Sequence, residues 1–517
     1  MKTQGARRWW ALAAVSLGVL AVGLDGTVLT VALPTLAKAL HASESDLQWF
    51  TSGYFLVLAA SMLPAGLLGD RFGHKKVLVI ALALFGVGSV ACAYSASVGE
   101  FLAARVLLGL AGAGVVVMAI SALTVLFSKE ERPKAVGIWA AANFLSLPVG
   151  PILGGWMLSH FWWGWVFLIN APVAALGVFA LVMLVPESRS AERPGFDFVG
   201  IALSIAGLVS LTFGFIEAGE KGWSDATALV SMLIGVVVLV GFGGWERMLN
   251  RRPGGQPLLD LSLFRSASFT WGVILAAFAV LAMIGVLFTM PQYFQGVLGT
   301  DAMGSGLRLA PVIFGLVLGA VPAERIVRLV GAKLVAAAGF LLLATGLFIG
   351  STTGVGSSTL VVAVWMAVAG MGLGLALSTS TSAALVELSE ERSGVGSAVL
   401  QAVNKVGGPL GTAILGSALS SVYLSRLVLT GLPNATAAAV RQSVFAGVAV
   451  AQQTGSASLL LSVRSAFAGG MDVALVVSAG IAVVGLVLTL LFLPRSNALQ
   501  DNQAVPPDMG RELAGIR

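Results

Sequence analysis

The sequence predicts an all-α integral membrane protein, and three observations support this fold class. Hydrophobic residues make up 57% of the 517 residues and charged residues only 10%, whereas soluble domains carry roughly 25% charged residues. The mean hydropathy is +0.94. Apolar runs of about 20 residues, the length that crosses a hydrocarbon core of roughly 30 Å, recur along the chain.

The apolar runs predict 14 transmembrane helices joined by short polar segments. Basic residues before the first run resemble the start of a signal peptide. That run exceeds the roughly 7 to 15 residues of such a peptide and further spans follow, which predicts a retained first helix. The predicted spans lie near 9–36, 47–69, 77–96, 98–127, 135–159, 163–186, 198–219, 226–249, 269–298, 305–323, 334–352, 359–388, 395–423 and 470–494.

The basic residues predict the orientation. Of the 30 Lys and Arg residues, 22 fall in segments on the side of the N-terminus, 6 fall on the opposite side, and Arg105 and Lys405 lie within predicted helices. Cytoplasmic segments carry an excess of Lys and Arg, so we expect a multi-pass plasma-membrane protein with both termini in the cytoplasm. The scattered basic residues argue against a nucleic-acid partner, despite a net charge of +6.

Asp25 is the charged residue of the first predicted span, whose stretch 9–36 is otherwise uncharged. An acid at this depth is costly and usually marks a functional site. Burial disfavours its charged form, so the side chain can hold a proton in one conformation and release it in another. We interpret Asp25 as a proton carrier; the alternative is a packing acid bonded to a neighbouring hydroxyl group.

A charged turn, residues 66–76, follows the second predicted helix. A carboxylate at a helix C-terminus, such as Asp70, meets an unfavourable dipole and needs a cation or the N-terminus of another helix as its partner. The turn resembles the loop-2/3 motif G-x-L-a-D-r-x-G-r-k of the major facilitator superfamily, with His74 at a usually basic position. The matching residues are Gly66, Asp70, Arg71, Gly73 and Lys75.

Three further segments are similar to motifs of the 14-helix drug:proton antiporter group of that superfamily, and the resemblance extends from Trp9 to about Pro494. Residues 24–28 and 31–34 resemble its first-helix motif. Residues 105–109 resemble its fourth-helix R-x-x-q-G motif, with Leu108 in place of the common Gln. The fifth-helix segment 150–155 resembles the motif of exporters.

The resemblance implies a major-facilitator fold, in which two six-helix bundles of inverted repeats enclose a substrate site near the midplane. The seventh and eighth helices would be inserted between the bundles. The implied organisation is an N-terminal bundle in 1–186, inserted helices and a cytoplasmic linker in 187–268, a C-terminal bundle in 269–494 with an outer loop in 424–469, and a cytoplasmic tail in 495–517. An Ala-rich part of the outer loop, 435–453, is expected to form a helical hairpin.

The same resemblance implies roles for two of the motifs. Arg105 would tune proton exchange; the alternative is a structural pair with a carbonyl or a carboxylate, because a guanidinium stays charged. Pro151 removes a backbone hydrogen bond and kinks the fifth helix. Gly150, Gly154 and Gly155 would permit close contact with the opposite bundle and so favour export, whereas the alternative is a static kink.

Six polar side chains are candidates for a substrate cavity, although they could instead bond neighbouring helices. Lys405 is a second charge within a predicted span, and the acids that some relatives use to expel cations are missing from its helix. A substrate with two positive charges is therefore disfavoured. The candidate cavity residues are Asn143, Gln292, Tyr293, Gln401, Asn404 and Lys405.

The chain lacks the sequence patterns of ATP-driven transport and of hydrolases. It contains no G-x-x-x-x-G-K-[ST], no H-E-x-x-H and no G-x-S-x-G. We therefore expect a transporter and not an enzyme. The resemblance implies that it expels small amphiphilic drugs or antibiotics across the lipid bilayer and is driven by the proton gradient. We expect a monomer without a metal or cofactor. The alternatives are proton-coupled uptake of a small metabolite and a non-transporting membrane sensor of the same fold.

Overall fold

The protein is helical, as the sequence predicts. The computed structural model describes residues 2–127, 131–187, 197–252, 263–385, 390–429 and 432–494, and these contain helices and connecting turns but no strand. Three predicted site residues, Asp70, Asn143 and Lys405, have side chains that are not among those the structure describes.

The first half of the chain begins with seven helices, followed by a pair. The seven are α1 (Lys2–Ala39), α2 (Glu44–Phe72), α3 (His74–Ala93), α4 (Val98–Leu126), α5 (Arg132–His160), α6 (Trp165–Leu168) and α7 (Asn170–Leu184). The pair is α8 (Phe198–Lys221) and α9 (Ala226–Arg251).

The second half of the chain contains nine more helices among its described residues. They are α10 (Ala267–Gln292), α11 (Ala302–Arg308), α12 (Ala310–Val330), α13 (Ala332–Gly350), α14 (Thr359–Leu385), α15 (Glu390–Arg426), α16 (Asn434–Gln442), α17 (Val444–Gln453) and α18 (Ala457–Phe492). A π-helical turn, Tyr293–Val297, continues α10.

The multi-pass prediction is confirmed, while the number of spans stays a prediction. Eleven helices of the described residues are long and apolar enough to cross a membrane. The predicted spans 47–69, 135–159 and 395–423 also lie in helices, namely α2, α5 and α15, but these are not among the eleven.

Three predicted elements differ from the observed helices in detail. The sixth predicted span is divided at Ile169 into α6 and α7, and the tenth is divided at Leu309, before Pro311, into α11 and α12. The last helix begins at Ala457 instead of near 470, because the Ser456 hydroxyl caps it by accepting from the Leu459 amide. The Ala-rich segment forms α16 and α17, which contact each other.

The helices pack in two groups. The first group contains α1 to α5 and α7, and the second contains α10 to α15 and α18. Helices α8 and α9 pair with each other, and α8 also contacts α2 and α15. The groups meet mainly where α2 contacts α15, α5 contacts α11 and α1 contacts α10. We call the end of the bundle where α1 begins and α18 ends the termini face, and the opposite end, with Glu44, α16 and α17, the distal face.

Glycines bring α12 and α14 of the second group into backbone contact. A Cβ atom at Gly315 or Gly319 would clash with backbone oxygens of α14, and one at Gly370 or Gly374 would clash with those of α12. Residues four apart lie on one helix face. Small residues at that spacing let membrane helices approach closely, so this pair packs without intervening side chains.

Candidate functional site

Asp25 on α1 and Arg105 on α4 form a buried ion pair. Arg105 Nη1 lies 2.6 Å from Asp25 Oδ2, and the two side chains have no exposed surface. The sequence left a carbonyl and a carboxylate open as partners of Arg105, and the structure provides both. Arg105 Nε also donates to the Phe50 carbonyl of α2 at 3.2 Å. The pair thus ties three helices of the first group together.

Tyr54 of α2 completes the surroundings of the ion pair. Its ring centroid lies 4.1 Å from Arg105 Cζ, a cation–π geometry, and its hydroxyl group donates to the Val22 carbonyl at 3.2 Å. Gly109 of α4 packs on α2, because a Cβ atom there would lie 2.7 Å from the Tyr54 carbonyl oxygen. The close approach of α4 to α2 therefore holds the guanidinium against the ring.

One side of Asp25 faces a small cavity between α1, α5 and α7. The cavity has a volume of about 60 Å³ and is lined mainly by apolar side chains, with Asp25 and Asn170 as its polar members. Asp25 Oδ1 and Asn170 Nδ2 are both buried without a hydrogen-bond partner among the described residues. Water needs roughly 10–15 Å³ and polar partners, so the cavity is large enough to hold water.

Sequence reasoning missed Asn170. Its side chain is 3% exposed at the start of α7, close to the distal face. The available signal was a single amide two residues before Pro172 in an apolar segment, which also fits an ordinary helix start. Only the packing of α7 against α1 brings Asn170 to the cavity that Asp25 lines.

The loop motif connects the turn between α2 and α3 to the end of α7. Gly73 has φ of 108°, a conformation that L side chains rarely adopt, and a Cβ atom there would clash with Glu187. Lys75 Nζ donates to the Val182 carbonyl at 2.7 Å. Gly66 faces α4, and Arg71 is exposed with its guanidinium 5.8 Å from the Phe72 ring.

The exporter motif of α5 contacts two different helices. A Cβ atom at Gly155 would lie 2.6 Å from the Ala302 carbonyl oxygen of α11, and Gly306 of α11 packs in turn on the Pro151 carbonyl. These contacts join the two groups near the distal face.

For Gly150 and Gly154 the structure differs from the expected contact with the opposite bundle. Both pack against α1 of their own group, at Thr27 and Val28. The reason is helical spacing: 150 and 154 lie four apart on one face of α5, and 151 and 155 lie on the neighbouring face.

A polar layer closes the space between the groups at the distal face. Gln292 Nε2 of α10 donates to Glu44 Oε1 of α2 at 3.2 Å. One turn further along α2, Gln48 packs against Gly416 of α15, where a Cβ atom would lie 2.6 Å from Gln48 Cδ. We call Glu44, Gln48, Gln292 and Gly416 the distal seal. A further bond, from Gln295 Nε2 to the Val31 carbonyl at 3.2 Å, joins the groups beside it.

The predicted cavity residues are spread along the bundle. Gln292 belongs to the distal seal, and the Tyr293 hydroxyl group donates to the Gly354 carbonyl at 2.7 Å. Gln401 and Asn404 are half-buried on α15. Asn404 precedes Gly416 by 12 residues, which places it about 18 Å closer to the termini face. The structure therefore does not bring these four residues to one place.

The fold, the membrane-spanning helices and the buried ion pair define the class of the protein, a polytopic membrane transporter. Residues 15–412 match the Major Facilitator Superfamily, and this span covers more than half of the chain. The chain belongs to that superfamily. The members are transporters, which confirms that the protein is not an enzyme.

Similar proteins include drug and antibiotic exporters. The tetracenomycin C resistance and export protein of Streptomyces glaucescens is 33% identical over 94% of this chain and 91% of its own length. The multidrug efflux pump LfrA of Mycolicibacterium smegmatis is 31% identical over 93% and 96%. The methyl viologen resistance protein SmvA of Salmonella typhimurium is 30% identical over 91% and 95%. The resemblance to the drug-exporting members is thereby confirmed.

Solved structures confirm the major-facilitator fold. A bacterial homologue of the human lysosomal transporter Spinster, in an inward-facing and unoccupied conformation, has a TM-score of 0.66 and 17% identity, over 94% of this chain and 98% of that chain. A D-xylose–proton symporter has a TM-score of 0.61 and 16% identity, over 94% and 98%. At these identities the likeness concerns the fold alone.

Proposed function

We propose that this protein exports small amphiphilic drugs or antibiotics in exchange for protons, with Asp25 as the proton carrier. The observation that carries the proposal is the buried Asp25–Arg105 ion pair at 2.6 Å. The other carboxylate oxygen of Asp25 has no hydrogen-bond partner among the described residues, and Asp25 lines a cavity. A buried acid within a membrane span is a functional-site hypothesis by default. Relatives that match more than nine-tenths of the chain are drug and antibiotic exporters, which supports the cargo class.

The ion pair supplies a physical basis for proton exchange. Arg105 stabilises the carboxylate form of Asp25, so a protonated Asp25 loses most of this attraction. The guanidinium then keeps the Tyr54 ring and the Phe50 carbonyl as its remaining partners. Protonation of Asp25 would thereby loosen α1 from α4, and this change in helix packing would couple the proton to movement of the first group.

The orientation of the protein determines the direction of proton flow. The excess of basic residues favours a termini face in the cytoplasm and a distal face outside. Asn170 at the distal end of α7 and Asp25 line the same cavity, and water there would deliver protons from the outer side. Cargo would leave through an opening at the distal seal.

The proton gradient is large enough for useful export. One proton that enters down about 100 mV yields roughly 2.3 kcal/mol, and each pH unit adds about 1.4 kcal/mol. Together these terms support a cargo gradient of a few hundredfold. A neutral cargo exchanged for one proton uses both terms, whereas a monocation uses the pH term alone.

The Asp25→Asn substitution tests the proposal. In inverted vesicles with an acidic lumen, we expect the wild-type protein to accumulate ethidium or Nile red and to release lumenal protons. Asp25→Asn should abolish both signals, because the amide cannot carry the proton. Glu100→Gln, which removes an exposed carboxylate at the start of α4, is the matched control.

Each alternative function has its own outcome in the same experiment. A sensor would bind the dyes without moving protons, and a proton-coupled uptake system would move dye and protons in the same direction. Asp25→Asn must retain the elution volume and melting temperature of the wild-type protein in detergent for its result to count. Normal gradient-driven efflux by that folded variant would refute Asp25 as the carrier.

A further inference from the structure

Glu44 is a second buried acid at a place where the two helix groups meet. It is the first residue of α2, before the predicted span 47–69, and it is 5% exposed. Its Oε1 atom accepts a hydrogen bond from Gln292 Nε2 on α10 at 3.2 Å. The carboxyl group therefore belongs to a contact that must break when the distal seal opens.

The surroundings of Glu44 are polar but provide no cation. Among the described residues Glu44 forms no ion pair within 4 Å. Gln48 has both amide atoms, and Gln292 its Oε1 atom, buried without a hydrogen-bond partner among the described residues. This layer of amides can solvate a neutral carboxylic acid, but it does not balance a carboxylate.

Titratable groups on the neighbouring elements have other partners or lie apart from Glu44. Asp46 is held in the capping box of Ser43 on the same helix. Tyr423 of α15 interacts electrostatically with Glu44, and its hydroxyl group donates to the Val440 carbonyl. On α8, Lys221 pairs with Glu217, and on α4, Glu100 accepts from the Ala96 amide. Further charged or titratable side chains at this end include an interacting pair on α15 and α18 and two exposed residues near the end of α1, namely Arg426, Asp472, Lys38 and His41.

We propose that Glu44 is a second proton-binding site, which takes up a proton when the distal seal closes and releases it when the seal opens. The proposal rests on the alternating access of the proposed function. Burial raises the pKa of Glu44 to about 7 in the closed seal, with the Gln292 hydrogen bond acting in the opposite direction. Separation of the helix groups would expose the side chain to water, where the pKa of a glutamic acid is about 4.3.

The sign of the pH effect follows from these two pKa values. Closing binds a proton, so the contribution of Glu44 to closure is fully present below the pKa of the open form. It is lost as the pH rises through the pKa of the closed form, near 7. The ratio of open to closed seal should rise by up to about tenfold per pH unit between roughly 5 and 7 and level off above that range.

A cysteine in the seal can report its opening. Ser420 is 4% exposed on α15, one turn after Gly416 and on the same face. With the buried Cys92 replaced by alanine, Ser420→Cys would be labelled by a membrane-impermeant maleimide added to right-side-out vesicles at external pH 5 to 8. At each pH, the labelling rate is divided by the rate of the same protein carrying Glu44→Gln. This normalisation removes the pH dependence of the thiol's own reaction with maleimide. The normalised rate should rise by up to about 40-fold from pH 5 to 7, in line with the ratio of open to closed seal.

Two further variants sharpen the experiment. Gln292→Met removes the donor that favours the carboxylate, so the midpoint of the labelling curve should move to higher pH. Glu100→Gln, which removes an exposed carboxylate at the same end of the bundle, should leave the curve in place. Because labelling requires no transport, the curve tests Glu44 whether or not Asp25 is the proton carrier, which separates failure of the second site from failure of the proposed carrier. A normalised rate that stays flat from pH 5 to 8, or a Gln292→Met curve with an unchanged midpoint, would overturn the proposal.

Discussion

In each group the second and fourth long helices pack against each other. The pair in the first group encloses a charged side chain, whereas the pair in the second group meets through backbone atoms. In the first group, α2 and α4 enclose the Arg105 guanidinium, with the Tyr54 ring and the Phe50 carbonyl as its neighbours on α2. In the second group, α12 and α14 meet through backbone atoms at Gly315 and Gly370, with no side chain between them.

The two helix pairs differ in how their contact responds to protonation. A buried ion pair contributes little net stability, because the desolvation of two charges offsets their attraction, but it changes strongly with protonation. A glycine contact responds to no proton and holds its helices at a fixed distance. In the proposed function, the first group would therefore sense protons, and the second would serve as a rigid partner against which the first moves.

The largest expected effect comes from removal of Arg105. Arg105→Gln leaves Asp25 buried without its cation, and breaking a buried pair in this way costs about 3–5 kcal/mol. We expect a clear loss of melting temperature in detergent.

The double variant Asp25→Asn, Arg105→Gln should recover most of that stability, because it leaves no unpaired charge. A double variant as unstable as Arg105→Gln alone would show that packing, and not the charge pair, makes Arg105 necessary.

A smaller effect is expected at the glycine contact of the second group. Gly370→Ala places a methyl group against the Val312 carbonyl oxygen, and overpacking of this kind costs about 1–3 kcal/mol. Thermal melting should show the loss. Gly480→Ala in α18, where a Cβ atom meets nothing within 4 Å, is the matched control.

The first group offers a direct test of the comparison at Gly112, where the three atoms nearest to an added Cβ atom, from 3.2 Å outward, belong to side chains and not to the backbone. Gly112→Ala should therefore cost less than Gly370→Ala. Equal losses at the two sites would contradict the rigidity assigned to the second group.

The smallest expected effect concerns the cavity beside Asp25. Asn170→Leu removes one hydrogen-bond partner of cavity water, a contribution of about 1 kcal/mol, so the rate of proton release should fall roughly fivefold. Melting temperature and dye binding should stay near their wild-type values. Val173→Ile changes an apolar residue of the same cavity and serves as the control. An unchanged rate of proton release would remove Asn170 from the proton path.

Most of the fold and part of the candidate site could be predicted from the sequence. Apolar runs give span positions directly, since bilayer thickness fixes helix length. Asp25 and Arg105 were identified separately, because each charge is conspicuous in an apolar helix. Their pairing could not be predicted, since the two residues lie 80 positions apart. The roles of the loop motif and of the six predicted cavity residues stay predictions.

Glu44 and Asn170 show why the remaining features could not be predicted. In sequence, Glu44 is an ordinary acid in the first turn of a helix, where the helix dipole favours it. Its functional interest arises only because α10 covers it with Gln292. The same holds for Asn170, because its amide becomes buried without a partner among the described residues only through the packing of α1, α5 and α7 around one cavity.

The sequence by itself determined the membrane class, the helix positions and the superfamily, because hydropathy and short motifs are local properties of the chain. Tertiary structure decided which buried charges meet, which glycines of α5 face the opposite group, and where the distal seal lies. These features depend on the rotation and approach of helices that are distant in the chain. Packing fixes that geometry, and packing is a property of the whole bundle.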